Sequence, residues 1–159
     1  MFFKRSIGAI GRIFISSVFI ISALNKIFDW DEVLDSFTST LNEWIFFGGN
    51  LPWMDEGVAL MMEYAPILMI VAVAIELVGG LSLLFGIRPR FGAGLLIIFL
   101  IPATLLYHHF WFLYGDERDL QLVMFLKNCA IIGGLMQVSS MGRTIKRSEI
   151  LHAISRSTD

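Results

Sequence analysis

Four runs of this sequence are too long and too apolar for water. A helix that crosses a bilayer needs about 20 mostly apolar residues, and Ile7–Phe28, Ala65–Gly86, Phe91–Tyr114 and Leu120–Val138 all reach that length. Only 16% of the 159 residues are charged and 56% are hydrophobic, whereas a soluble domain carries about 25% charged residues. Sustained period-two alternation is absent, which argues against a membrane β-barrel. The reading is an all-α membrane protein: an antiparallel bundle of four transmembrane helices over residues 1–138, followed by a polar cytoplasmic tail over 139–159. The lipid bilayer is its expected partner, and nucleic acid is not.

The first run could be mistaken for a signal peptide, because Lys4 and Arg5 precede it. It exceeds a typical signal core, and no clean A-x-A site follows, so it is read as a retained helix. Basic residues then orient the bundle. Lys4, Arg5, Arg12, Arg88, Arg90, Arg143, Lys146, Arg147 and Arg156 fall on one side, and the loop 31–64 and the segment Asp116–Asp119 place acidic residues on the other. The positive-inside rule puts both termini in the cytoplasm, which for a bacterial chain means the inner membrane. Within the outer loop, Val33, Leu34, Phe37, Leu41, Trp44 and Ile45 have near-helical spacing and imply an amphipathic helix at the interface. The sequence GGNLPW breaks it. Trp30, Trp44, Trp53 and Trp111 fall at that same level, as an anchoring aromatic belt or a lid would.

One acid lies inside the second run. Glu76 sits about 16 Å below the outer end of its helix at 1.5 Å per residue, where a charge costs at least about 2.5 kcal/mol. Ala72, Gly79 and Gly80 share its face, and small residues mark close helix contacts. The carboxylate therefore needs a cation from another helix. Lys127, about 10 Å deep in the fourth run and followed by Asn128, is the expected partner. Lys26, beside Asn25 near the outer end of the first run, is its rival, unless it merely snorkels to the interface. Tyr107, His108 and His109 near the outer end of the third run are candidate ligand contacts or ordinary interface residues.

Several chemistries lack their residues. A bis-histidine haem is not expected from one chain, since the only other histidine is His152 in the tail. There is no CxxCH, no HExxH and no phosphate-binding glycine loop, and the single Cys129 cannot pair within the chain. No metal site is expected. What is left is a polar pocket in an apolar bundle, suited to a quinone: its carbonyls accept hydrogen bonds and its tail stays in lipid.

The segments GRIFISSVFIISALNKIFDW, AIELVGGLSLLFGIRPRFGAGLL and LKNCAIIGGLM, in that order, resemble the DoxX/DoxD family of small four-helix membrane proteins. Asn25, Lys26, Glu76, Gly79, Gly80, Arg88, Lys127 and Asn128 fall on that family's characteristic polar and glycine positions. The resemblance implies association with membrane redox systems, because the DoxD branch is a subunit of thiosulfate:quinone oxidoreductase. The functional expectation is an inner-membrane subunit or accessory of a quinone-linked oxidoreductase, with a redox enzyme or a second copy as partner. A non-catalytic scaffold or assembly factor is the alternative, and a small-solute transporter is less favoured, since four helices leave little room for alternating access.

Overall fold

The computed structural model describes residues 2–48 and 52–157, with side chains over 7–48 and 54–140 and at 52. All its regular structure is helical. α1 (Phe2–Phe28), α4 (Ala65–Phe85), α5 (Pro89–Tyr107) and α6 (Gly115–Ser157) form the bundle, and α2 (Trp30–Gly48) and α3 (Pro52–Glu63) lie between its first two rods. Among the described residues, four segments are long and apolar enough to cross a bilayer: Ile7–Phe28, Ala65–Phe85, Pro89–Phe112 and Gly115–Ser140. The chain is a multi-pass membrane protein.

α1 packs on α4, α4 on α5 and α5 on α6, while α1 and α6 touch only sparsely. Glycines set the closest approaches. A Cβ at Gly92 would fall 2.8 Å from the Gly79 carbonyl oxygen and 2.7 Å from Ser82 Cβ, so α4 and α5 meet nearly backbone to backbone. A Cβ at Gly80 would fall 2.9 Å from Ile20 Cγ1, so the adjacent glycine of α4 serves α1 instead. The turn between α4 and α5 also fits its residues. Gly86 takes the left-handed conformation at φ 68° and donates its N–H to Leu83 O, the usual helix stop for a residue without Cβ. Pro89 then opens α5 at the position where a missing N–H costs nothing.

Two hydrophobic clusters divide the molecule. The first, around Phe19, Leu83, Ala93, Leu96, Leu100 and Leu135, welds the four rods together. The second, around Phe37, Leu41, Val58 and Ala65, docks α2 and α3 as a cap over the opposite end of the bundle. The amphipathic helix expected in the long loop is α2, and it buries its apolar stripe on protein. α3, which follows the Gly-Pro break, carried no comparable periodic signal. Among the described tryptophan side chains, Trp44 is held most specifically: its Nε1–H donates to Leu106 O at 2.9 Å. The Trp53 side chain and residues 49–51 lie outside the described set.

One helix end differs from the sequence reading. The third span was expected to stay helical to Tyr114, but α5 stops at Tyr107 and a single 3-10 turn follows over Phe110–Phe112. The Leu106 carbonyl, which a continued helix would offer to the Phe110 N–H, instead receives Trp44 Nε1 and lies 3.0 Å from His109 Nδ1. α6 continues as helix through Ser157, beyond the end of its apolar span at Ser140.

Candidate ligand-binding site

Among the described residues, Glu76 is the most deeply buried charged group, with 2% exposure. Its counter-ion is Lys26. The Lys26 ammonium sits 3.1 Å from Glu76 Oε1 and 3.0 Å from Oε2, and Ser22 donates its hydroxyl to Oε1 at 2.9 Å. Lys26 also donates to Ser22 Oγ at 2.7 Å and stands 5.9 Å from the centre of the Phe99 ring. Only the contact on Oε1 has hydrogen-bond alignment; Oε2 is buried with no aligned donor, and the ammonium offsets its charge by proximity.

This corrects the expected pairing with Lys127, which is exposed and donates only to Met124 Sδ, 3.2 Å away. Helix direction explains the outcome. Side chains tilt toward the N-terminus of their helix. α1 ends at the cap, so Lys26 leans down into the bundle; α4 and α6 start at the cap, so Glu76 leans up toward it and Lys127 leans away. Register contributes as well. With Gly80 level with Ser16 and Ile20, α1 ends roughly one turn short of the start of α4. Lys26 is thus deeper than its place at the helix end suggests. Ser22, one turn before Lys26 on the same face, went unnoticed although its i, i+4 spacing was legible. Nothing local in the sequence signals Phe99.

The ion pair forms part of the wall of a cavity of about 1220 Å³ between the two hydrophobic clusters. Its walls are mostly apolar: Phe19, Met69, Ala72, Phe99 and Leu100 from the bundle, and Phe37, Leu41 and Val58 from the cap. The other sequence candidates distribute unevenly. Asn25, Tyr107, His108, Lys127 and Asn128 join Lys26 and Glu76 along the cavity. His108 Nδ1 lies 2.7 Å from Gln121 Oε1, and Asn128 donates to Thr104 Oγ1 at 3.1 Å, so both are tied to protein. Tyr107 tilts against Phe37 at 6.3 Å between ring centres. His109 is not on the cavity wall. It is buried beneath α2 among Trp44, Phe47 and Phe112, with Nε2 3.1 Å from Glu43 Oε2. The adjacent histidines therefore serve different places. Among the described residues, no three His, Cys, Asp or Glu side chains converge as metal ligands would.

A family model for DoxX matches residues 8–109. The chain belongs to the DoxX family. The DoxX match covers α1 to α5 and hence Ser22, Lys26, Glu76 and Phe99, and it ends before α6, which carries Lys127 and Asn128. No curated protein and no solved structure matches this DoxX-family chain.

Proposed function

We propose that this DoxX-family membrane protein is a subunit or accessory of a quinone-linked oxidoreductase system, and that its cavity holds the quinone. The observation that carries the reading is the union of a large apolar chamber with one buried ion pair in its wall. Ligand pockets for drug-sized molecules span about 300–1,000 Å³, so about 1220 Å³ accommodates a ring and the first part of a tail. A quinone carbonyl needs a donor. An ammonium carries three N–H groups; Ser22 and Glu76 engage Lys26 from one side, leaving a third proton for the ring. Glu76 holds that ammonium in place, and the Tyr107 hydroxyl and Asn25 amide supply further donors along the wall. The electrons would come from a partner enzyme.

The charges at the two ends support an orientation. Arg12, Arg88 and Arg90 lie at the end away from the cap, and Asp31, Glu32, Asp35 and Glu43 lie on α2. By the positive-inside rule the basic end and both termini face the cytoplasm of a bacterial inner membrane, and the cap faces outward.

The test is mass spectrometry of lipid-soluble molecules retained after mild-detergent purification, paired with quinone affinity of the folded protein. Glu76→Gln and Lys26→Met are each expected to weaken binding by about tenfold or more, the worth of a charged hydrogen bond. Unchanged affinity in both variants removes the pocket. A stoichiometric protein partner with no retained quinone would turn the reading to a scaffold.

A further inference from the structure

Gly134 and Lys127 are seven residues apart on α6 and so lie on one face, two turns from each other. Gly134 faces α1: a Cβ there would fall 3.2 Å from Ile15 Cδ1. Lys127 should therefore also face α1. It is instead exposed, as is Asn25 across from it, and both border the cavity. Among the described residues, no hydrogen bond or ion pair joins α1 to α6 on this side. The two rods thus meet at Gly134 and splay toward the cap, leaving a slot in the side of the bundle.

We propose that this slot is the doorway of the cavity: the ligand slides in sideways from the leaflet on the cap side, its tail remaining in the slot among acyl chains. Lys127 is the donor at the threshold. It lies about 10 Å below the start of the apolar run, has no acidic partner within ion-pair distance among the described residues, and leans toward the cap, where it meets an acceptor group arriving through the interface. Lys26, deeper and already neutralised, receives that acceptor next. The ligand class follows: a membrane-dissolved amphiphile with an acceptor-bearing ring and an apolar chain. The cap roof of Phe37, Leu41 and Val58 favours this route over admission from water. The inference rests on reading the cavity as a ligand pocket.

The slot can be tested apart from the quinone. Protein in phosphatidylcholine vesicles is irradiated with either a photoreactive azidoquinone or a phosphatidylcholine bearing a photoreactive acyl chain, and labelled residues are mapped by mass spectrometry. Both probes are expected to label the partly buried Phe99 and the buried Phe19 in the unaltered protein. Asn25→Trp combined with Lys127→Trp should fill the slot and bring labelling of those two residues down to the unirradiated level. Leu126→Trp, one position along on the exposed face of α6, should not. Lys127→Met keeps the slot but removes the donor, so it should lower azidoquinone labelling and leave acyl labelling unchanged. Full labelling in the double tryptophan variant, or no labelling of the unaltered protein by either probe, overturns the doorway. Acyl labelling without azidoquinone labelling keeps the doorway and overturns the quinone reading. If the double variant does not fold, Lys127→Trp alone gives the same comparison.

Discussion

Glu76 and Lys26 illustrate what a single residue costs inside a membrane. Removing one partner of a buried ion pair strands the other charge, at roughly 3–5 kcal/mol. Lys26→Met is therefore expected to destabilise the protein by about that amount, while Lys127→Ala, whose side chain is exposed, should change stability by no more than about 0.5 kcal/mol. SDS titration in mixed micelles separates the two. Equal losses would return Lys127 to the core. Combining Glu76→Gln with Lys26→Met should recover part of the loss, because neither charge is then left alone; the double-mutant cycle measures the coupling. At this scale the sequence disclosed the acid and its need for a partner. It did not disclose which lysine answers, because counting residues from helix ends assumes that all ends are level. The direction of side-chain tilt was available in the sequence and favours Lys26.

Helices here are placed by glycine more than by interlocking large side chains. The small-residue face of α4 was legible as a packing surface, and the structure divides it: Gly79 and Ser82 meet α5, Gly80 meets α1. That division sets the depth at which Ser22 and Lys26 meet Glu76. Gly92→Ala would press a methyl group onto the Gly79 carbonyl and Ser82 Cβ, where backbone cannot yield cheaply. Overpacking of this kind costs about 1–3 kcal/mol, and the expected result is a lower unfolding midpoint in mixed micelles. Gly94→Ala, two residues on in the same helix with nothing within 4 Å, is the control and should be neutral or slightly stabilising, as alanine replaces glycine in a helix. That four runs are long and apolar enough to span a membrane was legible from hydropathy alone. The early stop of α5 was not, because the signal is tertiary: an indole on α2, 62 residues earlier in the chain, takes the carbonyl that would have extended the helix.

The molecule as a whole is a bundle whose rods approach most closely at glycines, roofed by α2 and α3, which are not among the four long apolar spans. The cavity is lined from both sides, by the cap cluster above and by the cluster that joins the rods below; we expect the roof to hold it open. Two clusters with little apolar contact between them imply two units that open separately. Leu41, fully buried in the cap cluster, is the residue on which this separation can be tried. Leu41→Ala should cost about 2–5 kcal/mol where it acts, but the loss should fall on the roof alone. In hydrogen exchange, amides of α2 and α3 are expected to lose protection while those near Gly79 and Gly92 keep theirs. Leu96→Ala, at the centre of the bundle cluster, should release both regions, since the roof has nothing to dock on once the rods part. Identical exchange profiles for the two variants would mean one cooperative unit, and the chamber would then be an opening in a single core that the roof does not hold open.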